Sequence, residues 1–102
     1  STAVQLWIEP LLANNFNLLA QSLLKLRTTE EIKLFLKDLL SNAEQNSIAS
    51  RVNIALMLDQ GQPYTQIERE TGASSATIAK VSENLKYGND GYKLIIERLR
   101  KK

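Results

Sequence analysis

Apolar residues lie on helical stripes along most of the chain. From Phe16 they recur at Leu19, Ala20, Leu23 and Leu24, a spacing of i, i+3, i+4, i+7 and i+8 that lines one face of a helix. Ile32, Phe35, Leu36, Leu39 and Leu40 repeat the spacing. Thr28 with Glu31 three residues on forms a capping box ahead of them, hydroxyl and carboxylate satisfying orphan backbone donors reciprocally. Ser41 and Glu44 share that spacing and predict a third helix, with Ile48, Val52, Ala55 and Leu56 as its apolar face and Gly61 and Pro63 as its stop. Thr65 with Glu68 predicts the cap of a short fourth helix, interrupted at Gly72. Ser74 caps a fifth, with Ile78, Val81 and Leu85 on its buried side. Beyond the turn cluster Gly88, Asn89, Asp90 and Gly91, Asp90 is expected to cap a last helix through Tyr92, Ile95 and Leu99. No segment alternates as a strand does, so an all-α fold of six helices is expected.

The segment 1–15 is a separate matter. Val4, Leu6, Trp7, Ile8, Leu11 and Leu12 would suit a helix, but Pro10 sits among them. We treat residues 1–15 as an extension and 16–102 as the helical domain. Large side chains crowd the first two helices, among them Phe16, Leu23, Leu24, Phe35, Leu36 and Leu40. Burying each contributes about 1.5 to 3 kcal/mol, so a chain of this size is expected to cover them by forming a two-fold homodimer.

Tyr64 to Leu85 holds the parts of a helix-turn-helix in order: a short capped helix, a turn with glycine, and a second capped helix. Gly72 falls at the bend, where positive φ is needed. Ile67, Ala73, Ile78 and Val81 are spaced to form the small core that fixes the two helices together. That leaves Ser74, Ser75, Ala76, Thr77, Ala79 and Lys80 near the start of the second helix, short or basic side chains suited to a major groove. Thr65 and Gln66 at the start of the first helix, and Lys86 farther along the second, complete the candidate DNA-binding set.

Charge and composition narrow the function. The formal net charge is +2, but residues up to Ser50 carry net −1 and those from Arg51 onward net +3, which suits a core-forming first half and a phosphate-facing second half. With neither Cys nor His, the chain lacks disulfides, the usual zinc ligands and imidazole bases. We read it as a non-enzyme with no metal site. No apolar run reaches the roughly 18 to 20 residues of a membrane span, and no basic flank marks a secretory signal, so a cytoplasmic location is expected. The competing reading is a helical protein-interaction module that uses the same surface without DNA.

Arg51-Val52-Asn53-Ile54, Gly61, Gly72-Ala73-Ser74-Ser75-Ala76-Thr77-Ile78 and Leu85-Lys86 together resemble the tryptophan repressor superfamily. Glu70 to Ile78 followed by Tyr87-Gly88-Asn89-Asp90 is similar to a branch of short Trp-repressor-like bacterial proteins. The resemblance covers about Phe16 to Leu99 and implies an intertwined helical homodimer that binds a palindromic operator on double-stranded DNA through two reading heads, as a transcriptional regulator and most often a repressor. It also implies an effector site formed by two arginines and a glycine around tryptophan. Arg51 matches the first arginine, Lys80 stands at the second and Val81 at the glycine. Lysine has no planar fork for a carboxylate or a ring, and valine narrows the indole space, so no cofactor is expected and tryptophan is not the expected ligand. Arg51 and Lys80 remain candidate effector-binding residues, Arg51 reading first as an ion-pair partner.

Overall fold

The computed structural model describes residues 14–101, so the expectations for Val4 to Leu12 and Pro10 lie outside the described residues. Within them are six helices and no strand: α1 (Asn15–Leu24), α2 (Thr29–Leu39), α3 (Asn42–Asp59), α4 (Tyr64–Thr71), α5 (Ser75–Tyr87) and α6 (Gly91–Arg100). The described residues divide into two compact units, one ending at Ser41 and the other beginning at Asn42.

In the first unit, Asn14 caps α1 by accepting from the Asn17 amide at 2.6 Å. Thr28 caps α2, its hydroxyl accepting from the Glu31 amide at 3.1 Å. The expected capping box closes one residue early, because the Glu31 carboxylate accepts from the Arg27 amide at 2.8 Å. Neither helix has a buried residue within the single chain. On the stripes read from the sequence, Phe16 and Leu24 are 80% and 77% exposed and Leu23, Ile32 and Leu39 are exposed too, while Leu19, Phe35, Leu36 and Leu40 are half-buried.

The second unit has a core. Ile54, Ala55 and Met57 of α3, Ile67 of α4, Ile78 and Val81 of α5 and Ile96 of α6 are buried together, with Leu56, Leu58, Ala73, Leu85 and Tyr92 packed around them. Two expected faces are corrected here. On α3, Ala55 is buried as expected and Leu56 partly so, but Ile48 and Val52 are exposed, and Ile54 and Met57 take their place. On α6 the anchor is Ile96, while Ile95 and Leu99 are exposed and Tyr92 is half-buried. Each residue turns a helix by about 100°, so moving the anchor from Ile95 to its neighbour Ile96 shifts the buried face by more than a quarter of a turn. Both helices carry more apolar positions than one face can hold, and the stripe alone does not say which of them meet the neighbouring helices.

The ends of α3 and α4 follow from backbone chemistry. Gly61 adopts φ 79 just past α3, and the Gln62 amide bonds back to the Met57 carbonyl at 3.1 Å. The expected Thr65 and Glu68 capping box does not form: Pro63 is the N-cap of α4, with no side-chain cap bond. Proline is pre-set for a helix start and brings no N–H to satisfy, so the helix begins at once and Thr65 falls inside its first turn. The amides of Gln66 and Ile67 both reach the Pro63 carbonyl at 3.1 Å. Asp90 occupies the N-cap of α6, but in the left-handed region at φ 63 and without a side-chain cap bond. Its carboxylate instead faces the Lys93 ammonium at 3.7 Å. At the other end of α6, Arg100 pairs with Asp59 of α3.

Candidate nucleic-acid interface

The α4–α5 pair is built around one tight turn. Gly72 ends α4 in the left-handed conformation, φ 73, and its amide closes the helix on the Glu68 carbonyl at 2.9 Å. A β-carbon there would touch nothing, so backbone conformation is the reason for glycine, and packing is not. Thr71 pins the bend: its hydroxyl donates to the Ile67 carbonyl at 2.7 Å and accepts from the Ala73 amide at 3.2 Å. Ser74 then caps α5, accepting from the Thr77 amide at 3.2 Å and donating to the Thr77 hydroxyl at 3.1 Å. Every hydrogen bond here is local, which is why sequence alone located the turn.

Beneath the turn, Ile67, Ile78 and Val81 are buried against α3, with Ala73 packed beside them, the small core expected from their spacing. Above it, Ser74, Ser75, Ala76, Ala79 and Lys80 are exposed, and Thr77 is half-buried with its hydroxyl engaged by Ser74. Thr65 and Gln66 are exposed on α4, where the Gln66 amide donates to Glu70 at 3.2 Å. Lys86 is exposed near the end of α5. The candidate side chains thus divide between the start of α5, the first turn of α4 and the far end of α5. Lys80 reaches the Glu83 carboxylate at 3.7 Å, an exposed pair worth a few tenths of a kcal/mol that a phosphate can displace.

The two candidate effector residues do meet. Arg51 and Lys80 line one cleft of about 290 Å³ together with Thr77, Val81, Asn84 and Tyr92. Sequence reasoning missed Asn84 and Tyr92. Asn84 lies four residues after Lys80 and so on its helical face, a signal that was available. Tyr92 arrives from α6 and had none. Asn84 and Tyr92 also border a second, shallower cleft of about 460 Å³ with Val52, Gly88, Asn89, Gly91 and Ile95.

A helix pair packed on α3 through a small core, with a capped, small-residue helix start left exposed, is the architecture of a helix-turn-helix. The chain matches the Trp repressor protein family over residues 14–100, and it belongs to that family. It is 41% identical over 93 residues to the "Uncharacterized protein YerC" of Bacillus subtilis (strain 168), an alignment spanning 91% of this chain and 89% of that protein. Among solved structures, a candidate Trp repressor from Staphylococcus aureus superposes with a TM-score of 0.82 at 38% identity, covering 93% of this chain and 95% of the other. A TrpR-like protein of Eubacterium eligens ATCC 27750 gives 0.82 at 36% identity, covering 91% and 96%. The fold is therefore Trp-repressor-like, and the family is one of regulators. No helix among the described residues is long and apolar enough to cross a membrane.

Proposed function

We propose that this chain is a sequence-specific transcriptional regulator, acting as a repressor, that binds a palindromic operator as a homodimer with α5 in the major groove. The observation that carries the reading is the division of α5 into two faces. Ile78 and Val81 are sunk in the core, while Ser75, Ala76, Ala79 and Lys80 stand clear of it at the end that enters a groove. Ser75 and its neighbours are short enough for base edges to approach, and Lys80 and Lys86 supply charge for phosphates. Family membership supports the same reading.

The homodimer rests on exposed apolar surface. Phe16, Leu24 and Leu34 of the first unit, and Ile48, Val52, Ile95 and Leu99 of the second, are all exposed in the single chain. A second copy is the occupant that two-fold operator symmetry calls for.

Selection of the purified protein against a random DNA library tests the reading. A recovered inverted repeat with half-sites about one helical turn apart is the expected result. Recovery of no sequence, with weak and uniform binding to every duplex, would overturn it in favour of a protein-interaction module. A repressor further requires that its operator overlap a promoter, which reporter assays with and without the protein examine.

A further inference from the structure

Tryptophan, the ligand that membership in a Trp repressor family suggests, is a poor fit to the cleft between α3 and α5. Val81 lines it from α5, a β-branched residue where a glycine would leave the helix backbone open to close approach by a ring. Lys80, the second cation of the cleft, is 68% exposed and paired with Glu83, and an ammonium cannot cover a ring or grip a carboxylate as a guanidinium does. Arg51 is left as the single planar anchor.

The same valine has a positive role. Val81 is 2% exposed and Ile78 fully buried, and both pack with Ile54, Ala55 and Met57 of α3, while Leu85 packs against the same core one turn on. The α5 helix is thereby fixed through successive turns against α3, α4 and α6. To swing, α5 must withdraw Ile78 and Val81 from the core together. A ligand shifts an equilibrium only by its differential affinity for two accessible states, and a head locked into one state offers no second state to select.

We propose that Val81 locks the reading head onto α3, so that operator affinity is constitutive and independent of tryptophan in the Arg51 cleft. This inference rests on the reading of α5 as the DNA-contacting helix. A variant without the isopropyl group should regain the freedom, and with it the dependence, that the wild type lacks.

The test compares wild type, V81A and V81G by operator titration with and without millimolar tryptophan, and by hydrogen exchange of the α5 amides under the same conditions. In the wild type, tryptophan should change operator affinity by less than about tenfold, or about 1.4 kcal/mol of coupling, and leave α5 exchange unchanged. In V81G, affinity without tryptophan should fall more than about tenfold, α5 exchange should accelerate, and tryptophan should recover part of both. V81A removes both γ-methyls without the helix penalty of glycine, opening a smaller gap, and it carries the test if V81G fails to fold. A hundredfold enhancement of the wild type by tryptophan would overturn the proposal, as would V81A or V81G matching wild type in both α5 protection and affinity. If the library selection yields no operator, the functional reading fails by itself. Exchange then still decides whether Val81 locks α5: faster exchange in V81A with an unresponsive wild type supports it, and unchanged exchange overturns it.

Discussion

Substituting alanine at Gly72, Gly88 and Gly91 separates two reasons for glycine that sequence cannot tell apart. At Gly72, φ is 73 and an added β-carbon meets nothing within 4 Å, so the penalty is the left-handed backbone alone. That penalty is about 1 to 2 kcal/mol, partly offset by the smaller entropy of the unfolded alanine chain, leaving a net loss near 1 kcal/mol. At Gly88 the added carbon would lie 2.3 Å from the Asn84 carbonyl oxygen, the atom that accepts the Gly88 amide at 2.9 Å to close α5. Relieving the overlap strains or breaks that bond, so about 1 to 3 kcal/mol of overpacking combines with about 0.5 to 1.5 kcal/mol for the hydrogen bond. Gly91 opens α6, and a β-carbon there has free space, so alanine should be neutral or slightly stabilising. Urea and thermal unfolding followed by circular dichroism should rank the variants G88A, then G72A, then G91A in order of damage. For a domain of this size each kcal/mol lowers Tm by roughly 4 to 8 °C. A G72A protein as stable as wild type, or a G88A protein less affected than G72A, would refute the reasoning.

Lys86→Ala should weaken binding to all DNA sequences alike and flatten the slope of log K against log salt by about one unit, whereas substitutions at Ser75 should change which operator wins; affinity titrations across salt concentrations separate the two. Replacing Phe16 and Leu24 together by serine should weaken the proposed homodimer by roughly 10⁴ to 10⁹ at most, because two side chains are lost from each of two protomers at about 1.5 to 3 kcal/mol each, and sedimentation of the variant measures it. Thr28→Ala should destabilise by about 0.5 to 2 kcal/mol in urea unfolding, because its hydroxyl caps α2, while Thr65→Ala should have little effect because Pro63 begins α4 without a side-chain cap bond.

What the sequence determined by itself was local. The caps at Thr28 and Ser74, the left-handed turn at Gly72 and the order of six helices depend on contacts within about four residues, which residue type and spacing largely specify, although Pro63 took the cap expected of Thr65. The small core of Ile67, Ile78 and Val81 was legible for the same reason, since one short turn joins the two helices that form it. Tertiary structure decided the rest. Ile48 and Val52 gave way to Ile54 and Met57 on α3, and Ile95 and Leu99 to Ile96 on α6, because both helices are apolar on more than one side. Which side is buried depends on the neighbours it meets. The cleft followed the same rule: Arg51, Lys80 and Asn84 could be read from two helices, but Tyr92 joins them from a third whose approach no local pattern encodes. Short-range hydrogen bonds are fixed by adjacent residues, whereas a helix's rotation about its axis is fixed by everything packed around it.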